Sequence, residues 1–216
     1  MNDAVNNRGN PHVYNDALAL IEIGSWSRAM VVLDNMEKTA SVRILQTELN
    51  DSPGVCLKLY GSLCDVQAAV QAAEATAYGM NTKVIAHVIA SPSPLSSAAY
   101  EAPVDFNPLM EQSTVHYPEK KMKNQSQASF AIGLIETQGF TAVFEAIDTA
   151  LKTAAVEVLA REKLGGGYIT VLIKGDVAAV TAAIEAGKAK VESLGRLIAA
   201  HVIASPSEGV LSLLPK

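Results

Sequence analysis

Apolar and polar positions along the chain predict two helices and four strands, and this pattern occurs twice. The short apolar runs 17–23 and 131–135 predict buried strands. A break follows each run, at Gly24 in the first copy and Gly139 in the second. Apolar residues then recur at steps of three and four, which predicts an amphipathic helix. In the second copy they are Phe140, Val143, Phe144, Ile147, Ala150 and Leu151.

Two strands joined by a tight loop follow that helix in each copy. The first of these strands is predicted at 42–48 and at 156–162. The next is clearest at 168–174, where apolar and polar side chains alternate with the period of a half-buried strand. The predicted loop between the strands spans 49–53 in the first copy and 164–167 in the second.

A second helix and a last strand complete each copy. Ser62 and Asp176 follow a glycine at the end of a strand, and both are favoured N-cap residues. The helices that they begin are predicted to extend to about Tyr78 and Leu194. The resulting order, β-α-β-β-α-β, predicts an antiparallel sheet that carries two helices, which is a ferredoxin-like unit. The predicted fold class is therefore α+β, with two such units in tandem.

An exact internal repeat indicates that the two patterns are copies of one domain. The heptapeptide HVIASPS occupies residues 87–93 and again residues 201–207, an offset of 201 − 87 = 114 residues. The same offset aligns residues 17–94 with 131–208 without a gap. A period this long indicates a duplicated domain, because solenoid repeats span only 20–50 residues.

The repeat predicts four segments in the chain. A polar N-terminal extension is expected at 1–16, the first domain at 17–94, and the second domain with a short tail at 130–216. The segment 95–129 is expected to be an ordered but irregular connector. A loop of that length is usually either functional or flexible.

Composition excludes several classes of function. Aromatic residues form only 5% of the chain, which leaves few anchors for a large organic cofactor. The net charge is −5 and no long basic block occurs, so we expect no nucleic-acid partner. The apolar runs are shorter than the ~18 residues that a membrane span needs. Cys56 and Cys64 both lie in the first copy, which favours a reduced, cytoplasmic protein over a disulfide-bonded one.

No group of residues in the sequence forms a recognisable catalytic or metal-binding site. His87 and His201 are equivalent and could form rings in an assembly, but hydrogen-bonded strand histidines are the expected case. Glu22 and Glu136 are also equivalent, and each lacks a sequence neighbour of catalytic type, so we expect structural roles. The glycines at 165–167 join two strands, whereas a phosphate-binding loop would lead into a helix.

Several motifs, taken in order, resemble the bacterial microcompartment shell domain. In the second copy they are LIETQGF at 134–140, LKTA at 151–154, EKLGGG at 162–167 and IKGDVAAV at 173–180. The first copy resembles the domain more loosely, through LIE, KTA and HVI at equivalent positions. The strand order is unpermuted, because the LIE strand opens each copy and the HVI strand closes it.

The resemblance implies a structural protein without catalytic residues or cofactor. Tandem-domain shell proteins form homotrimers that imitate the hexameric tile of the family. They tile the shell edge to edge with other shell proteins and pass small-molecule metabolites through a central pore. The expected location is therefore a microcompartment shell in the cytoplasm. Some of these proteins hold an iron–sulfur cluster in the pore, but neither predicted pore loop contains a cysteine.

The resemblance also implies roles for particular residues. The pore loops would be formed by Asn50, Asp51, Ser52 and Pro53 in the first copy and by Leu164, Gly165, Gly166 and Gly167 in the second. The edge of the tile would be formed by Lys38 and Lys152. One departure affects that edge: the family often has an arginine between two prolines after the last strand, where this chain has Ala-Ser-Pro.

The predicted fold also fits a second function. A trimer of ferredoxin-like units can also be a regulatory protein that binds small effectors between its subunits. A tile needs a repeated, self-complementary rim, which Lys38 and Lys152 would supply, whereas a regulator does not. Extended sheets in electron micrographs would favour the tile.

Overall fold

Two α+β units with the same order of elements form the structure, a computed structural model that describes residues 16–50, 54–118, 130–192 and 194–214. Each unit has an antiparallel sheet with two helices, which confirms the predicted fold class. Among the described residues, no helix has the length and apolar character that crossing a membrane requires.

The first unit contains four strands in the order β4-β1-β3-β2, with each strand antiparallel to its neighbours. In this order the last strand, β4, lies at one edge of the sheet and pairs with the first strand, β1. Its elements are β1 (Ala17–Ile23), α1 (Trp26–Thr39), β2 (Arg43–Leu49), β3 (Val55–Gly61), α2 (Leu63–Gly79) and β4 (Val84–Ile89).

The connector contains short elements that extend the first sheet. After a 3₁₀ turn at Pro94–Ser96 it forms α3 (Ser97–Tyr100), β5 (Phe106–Asn107), β6 (Gln112–Ser113) and β7 (Val115–His116). Strands β5 and β6 pair with each other, and β7 pairs with the outer strand β2. The connector therefore covers what would otherwise be an open sheet edge.

The second unit repeats the strand order as β11-β8-β10-β9. Its strands and helices are β8 (Ala131–Gln138), α4 (Phe140–Thr153), β9 (Glu157–Gly165), β10 (Tyr168–Gly175), α5 (Val177–Lys188) and β11 (Arg196–Ile203). A short helix, α6 (Glu208–Ser212), follows the last strand. Side chains of Ser62 and Asp176 accept hydrogen bonds from the first turn of α2 and α5, as their N-cap positions predict.

Helix α5 is shorter than its apolar periodicity predicts. It ends at Lys188 and not at about Leu194. Beyond it, the N–H of Lys190 donates to Gly187 and that of Val191 to Lys188, so three-residue turns replace helical hydrogen bonds. Val191 is nevertheless fully buried, because these turns carry it onto the same core as the helix. Of the five positions that the periodicity places on one face, Val180, Ile184 and Val191 are buried, whereas Val177 and Leu194 are exposed. The periodicity therefore identified part of the buried face but not the end of the helix.

The hydrophobic core is continuous between the two units. One cluster fills the space between α4, α5 and the sheet face that they cover. The other joins the core of the first unit to the opposite face of the second sheet, which we call its back face. The second-unit residues in this joint cluster are Ile132, Leu134, Leu164, Leu172, Ile203, Val210 and Leu213. Helix α1 thus packs on its own sheet and also on the back face of the next one.

Candidate pore loops, rim lysines and domain interface

The second predicted pore loop is a glycine turn between β9 and β10. Gly165, Gly166 and Gly167 have φ values of +91°, +55° and +81°, in the region where side chains are disfavoured. Leu164 and Gly165 still belong to β9, and Leu164 is buried in the joint core. Leu164 therefore anchors the loop, and the exposed tip is formed by the glycines.

The turn between β8 and α4 holds the glycine loop in place. The side-chain amide of Gln138 donates to the carbonyl of Gly166 at 3.2 Å, and the N–H of Gly139 donates to that of Gly167 at 3.0 Å. These bonds engage two of the three loop carbonyls. Loop N–H groups that face an opening would favour small polar or anionic solutes, and that orientation stays a prediction.

The first predicted pore loop is closed by a glycine that the sequence interpretation missed. Asn50 donates its N–H to the carbonyl of Gly54 at 2.6 Å, whereas Asp51, Ser52 and Pro53 lie outside the described residues. Gly54 has φ +126°, and a Cβ there would lie 2.6 Å from the carbonyl oxygen of Ile23. A lone glycine just before a predicted strand was the available signal.

The two predicted rim lysines occupy equivalent positions at the ends of α1 and α4. Lys38 pairs with Asp34 at 2.6 Å, and Lys152 pairs with Asp148 in the same i, i+4 arrangement. The hydrogen bond from Lys152 to Asp148, together with its charge, raises the pKa of Lys152. Both ammonium groups are exposed to solvent, as a rim contact requires, but the contact itself stays a prediction.

A carboxylate of the second domain caps a helix of the first. Glu136 is fully buried on the back face of β8 and accepts hydrogen bonds from the N–H of Trp26 at 3.3 Å and of Ser27 at 3.0 Å. It also accepts the hydroxyl proton of Ser25, the N-cap residue of α1. Burial raises the pKa of Glu136, while these three donors oppose that rise. The structural role expected for this glutamate is therefore the joining of the two domains.

Three further polar contacts hold α1 against the second domain. The guanidinium of Arg28 donates to the carbonyl of Ile198 at 2.7 Å. Near the other end of the helix, Asp34 accepts from the N–H of Ser207 at 2.8 Å. Glu37 accepts from the N–H of Gly209, also at 2.8 Å. The helix is therefore attached to the second domain at both of its ends.

Among the described residues, the equivalent helix α4 has no such neighbour, and its aromatic residues are exposed. Trp26 and Met30 of α1 are 1% and 0% exposed, whereas their counterparts Phe140 and Phe144 are 42% and 49% exposed. The two phenylalanine rings lie 6.1 Å apart between centroids. Leu151 is exposed too, so three of the six residues assigned to one buried face of α4 point away from its core. Half of these six apolar residues of α4 therefore pack on the core of their own domain, and the other half are exposed on the surface.

A buried lysine distinguishes the back face of the first sheet. Lys58 donates to Gln46 at 2.8 Å, to the carbonyl of Tyr100 at 2.6 Å, and to Glu48. Its counterpart in the second domain is Leu172, which is buried in the joint core. The connector therefore covers this part of the first sheet through polar contacts, where the second sheet is covered through apolar ones.

The connector also reaches a buried carboxyl beside the second pore loop. The side-chain amide of Gln112 donates to Glu162 and to the carbonyl of Lys163, the latter at 2.6 Å. His116 lies 4.0 Å from Glu162. Burial raises the pKa of Glu162 to about 8 and lowers that of His116, so both side chains are mainly neutral near pH 7. This pairing was not predicted from the sequence.

Stability should fall as the pH rises from 7 to 9. Because the folded-state pKa of Glu162 is raised, its contribution is complete below the unfolded pKa near 4.5 and is lost as the pH passes about 8. Denaturant unfolding should show a loss of roughly 1 kcal/mol across this range that Glu162→Gln abolishes. Glu157→Gln, an exposed residue on the same strand, is the control. Equal slopes for the wild type and Glu162→Gln would contradict the assignment.

In the part of the chain that the structure describes, the cysteines and histidines show no arrangement that suggests catalysis. Cys56 and Cys64 are free thiols on β3 and α2, and burial raises the pKa of Cys56 to about 11. His87 is exposed on β4. Its counterpart His201 is partly buried near Arg28, and burial followed by that charge lowers its pKa. The equivalent histidines therefore occupy different environments within one chain.

Comparison with known proteins gives matches over both domains. A family model described as the BMC domain matches residues 17–92 and again residues 131–206. The carboxysome assembly protein CcmO of Synechococcus elongatus is 32% identical over 201 residues, which covers 93% of this chain and 69% of CcmO. The bacterial microcompartment shell protein PduA of Citrobacter freundii is 45% identical over 86 residues, 40% of this chain and 92% of PduA. The major carboxysome shell protein CsoS1A of Halothiobacillus neapolitanus is 45% identical over 87 residues, 40% of this chain and 89% of CsoS1A.

Proposed function

Since the chain belongs to the BMC-domain family and is a bacterial microcompartment shell protein, we propose that three copies close into a pseudohexameric tile. This homotrimer lies edge to edge with other shell proteins and passes small metabolites through a central pore. The role is structural and needs no catalytic residue or cofactor. Family membership favours it over the alternative of a regulatory trimer of ferredoxin-like units.

The interface between the two domains of one chain supports the ring. It is heterologous, because helix α1 of the first domain meets the back face of the second sheet. Among the described residues, the equivalent helix α4 has no such partner, and the connector covers only part of the equivalent back face of the first sheet, where Ile85 and His87 are exposed. Both surfaces can therefore meet a second copy. A heterologous contact that is repeated from copy to copy generates a ring when its rotation closes. Because each chain has two similar domains, three chains supply six similar domains around the ring.

Light scattering tests the number of chains. The ring predicts a particle of about 68 kDa, three times the 22.7 kDa of one chain. The expected result is this mass at all working concentrations in neutral buffer. A stable monomer or dimer would overturn the proposed tile.

The pore would be surrounded by loops of two kinds in alternation. The second kind presents the backbone of Gly165, Gly166 and Gly167, while the first kind adds the side chains of Asp51 and Ser52. Backbone N–H groups favour anions, and a carboxylate opposes them. These tendencies conflict, so we propose a polar, selective opening without assigning it a charge preference.

Adding bulk at the glycine loop should close the transport route. A Cβ at Gly166 meets only the ring of Tyr168, at 3.5 Å, so the loop has room for a side chain that extends outward. Gly166→Trp in assembled shells should slow metabolite entry at least tenfold relative to the wild type. The measurement is uptake of substrate by an enzyme enclosed in the shell.

Two controls separate blockage from strain in this experiment. Gly166→Ala imposes the same unfavourable φ of +55° without the bulk and should leave entry unchanged. Gly79→Trp adds an indole at the end of α2, where the space around a Cβ is empty. Equal entry rates for Gly166→Trp and the wild type would mean that metabolites use another route.

A further inference from the structure

One short stretch of the connector contacts the strands that lead into both predicted pore loops. We call residues 111–116 the bridging segment, since they include β6 and β7. On one side of this segment, β7 pairs with residues 47–48 of β2. The carbonyl of Thr114 also accepts a hydrogen bond from the N–H of Leu49 at 2.7 Å. The bridging segment is therefore attached to the first domain directly before the first pore loop.

The other side of the bridging segment is attached to β9 through one glutamine. The side-chain amide of Gln112 donates to the carbonyl of Lys163 at 2.6 Å and accepts from the N–H of the same residue at 3.1 Å. Two such bonds are what a residue exchanges with its partner in an antiparallel strand. The amide thus takes the place of a partner strand at this point of the β9 edge, and it donates to Glu162 as well.

The positions that the bridging segment contacts are equivalent in the two domains. Leu49 and Lys163 are separated by 163 − 49 = 114 residues, which is the offset of the repeat. Each stands directly before its predicted pore loop. One segment therefore joins the same point of both strands, through its backbone in the first domain and through a side chain in the second.

The bridging segment begins with a residue in an unfavourable backbone conformation. Glu111 has φ +57°, in the left-handed region, which costs about 1–2 kcal/mol for a residue with a Cβ. Its exposed carboxylate lies 3.3 Å from the ammonium of Lys163 and 3.8 Å from the guanidinium of Arg161. Exposed ion pairs contribute little, so they do not offset this cost. Such conformations persist where the surrounding contacts determine them, and here the next residue is Gln112.

Three buried polar atoms lie where β2, the bridging segment and β9 meet. His116 lies opposite Thr47 in the sheet and 4.0 Å from Glu162. Among the described residues, Oγ1 of Thr47, Nε2 of His116 and Oε2 of Glu162 have no hydrogen-bond partner. Each such group costs about 1–3 kcal/mol. The junction is therefore incompletely satisfied, and the bonds of Gln112 are needed to keep it closed.

We propose that the bridging segment positions the second pore loop and links it to the first, with Gln112 as the positioning residue for the opening. This role rests on the proposed pore and specifies what sets its width. The tip of the second loop consists of glycines, which have no side chains to hold it. Its position therefore depends on the β8–α4 turn and on the end of β9. Without Gln112 the end of β9 separates from the bridging segment, and the opening becomes less selective.

Gln112→Met tests the role, because methionine keeps the length of the side chain and loses its hydrogen bonds. The N–H of Gly139, which donates to the carbonyl of Gly167, reports the position of the second loop. Its hydrogen exchange, measured by NMR, should become about tenfold faster. That of Leu49, which reports the link to the first loop, should rise by a smaller factor. The N–H of Ala154, at the end of α4, should exchange as in the wild type.

Entry into assembled shells separates positioning from simple loss of stability. For Gln112→Met, the ratio of the entry rates of a small and a larger substrate of an enclosed enzyme should fall about threefold, because the width of an opening sets its selectivity. Resistance of the enclosed enzyme to added protease excludes broken shells. Gln71→Ala, at an exposed glutamine of α2, is the control and should leave both the ratio and the exchange rates unchanged.

An exchange of side chains tests the contact between Gln112 and Glu162 itself. Gln112→Glu places a second carboxyl group against Glu162 and removes the donor, so exchange of the Gly139 N–H should be at least as fast as in Gln112→Met. Adding Glu162→Gln to Gln112→Glu supplies a new donor from the opposite side. The double variant should therefore recover most of the lost protection, although each substitution alone lowers it or leaves it unchanged.

The outcomes distinguish this role from the pore on which it rests. If Gly166→Trp slows entry but Gln112→Met keeps the exchange rates or the entry ratio of the wild type, the positioning role is wrong and the pore stands. A double variant that recovers no protection would also overturn the role of Gln112. If Gly166→Trp does not slow entry, the proposed pore is wrong and this role is wrong with it.

Discussion

Replacing Glu136 with alanine is expected to lower the free energy of unfolding by about 4 kcal/mol. The carboxylate is fully buried and accepts from three donors of α1, the hydroxyl of Ser25 and the N–H groups of Trp26 and Ser27. Alanine leaves these donors buried without an acceptor, and each orphaned donor costs about 1–3 kcal/mol. Denaturant unfolding measures the loss, and it should appear as earlier separation of the two domains.

Glu136→Gln separates the contribution of the hydrogen bonds from that of the charge. Glutamine keeps the shape and one acceptor oxygen, so it should lose less than half as much stability as alanine. Burial already raises the pKa of Glu136, which reduces the advantage of a full charge at this position. Unfolding of Glu136→Ala with wild-type stability would show that Glu136 does not join the domains.

The double variant Lys38→Asp, Lys152→Asp is expected to abolish extended sheets while leaving trimers intact. Each lysine pairs with an aspartate one turn earlier on its own helix, and both ammonium groups are exposed. The Lys152–Asp148 pair is exposed, and in the Lys38–Asp34 pair the lysine side chain is half-exposed although the aspartate is buried. Pairs with an exposed lysine contribute little to stability, so the fold should survive. The lysine stems remain available to lie along a neighbouring tile, and reversal of their charge removes that contact. Electron microscopy of the concentrated protein measures the result.

Lys188→Asp provides a matched control for the rim. Lys188 also ends a helix and pairs with an acidic residue one turn earlier, Glu185, at 2.6 Å. It is not a counterpart of either rim lysine, so its substitution should leave the sheets unchanged. Normal sheets from the double variant would place the rim elsewhere on the chain.

The fold could be predicted from the sequence because the chain contains the same evidence twice. The strand at 17–23 and the helix caps at Ser62 and Asp176 are as predicted. Local patterns of this kind depend on near neighbours in sequence. The end of α5 was predicted wrongly because the turns that follow it bury Val191 as well as a helix would.

The domain interface could not be predicted, since it depends on position in the assembly and not on residue type. Glu22 and Glu136 occur in identical LIE segments, yet of the two only Glu136 has a helix against it among the residues that the structure describes. Likewise, Phe140 and Phe144 fit the apolar periodicity of α4. Periodicity alone does not predict which of the apolar residues on a wide helix face contact the helix's own sheet. A comparison of the two copies in three dimensions reveals the difference.

The polar contacts of the connector also could not be predicted from the sequence. Lys58 lies in an apolar strand at the position where the second copy has Leu172. This difference indicates that the lysine has polar partners but does not identify them. Those partners, and likewise Gln112 beside Glu162, are distant in sequence and are joined by the tertiary fold. The residues of the second pore loop could be predicted from the sequence, but the direction in which the loop faces could not. Glycines carry no side chain that would indicate this direction.

Electron microscopy of the purified wild-type protein tests the central claim most directly. The account predicts six-lobed particles of three chains that pack edge to edge into extended sheets, with a central opening in each particle. Discrete particles that form no sheets at high concentration, or particles without six lobes, would contradict the proposed shell tile.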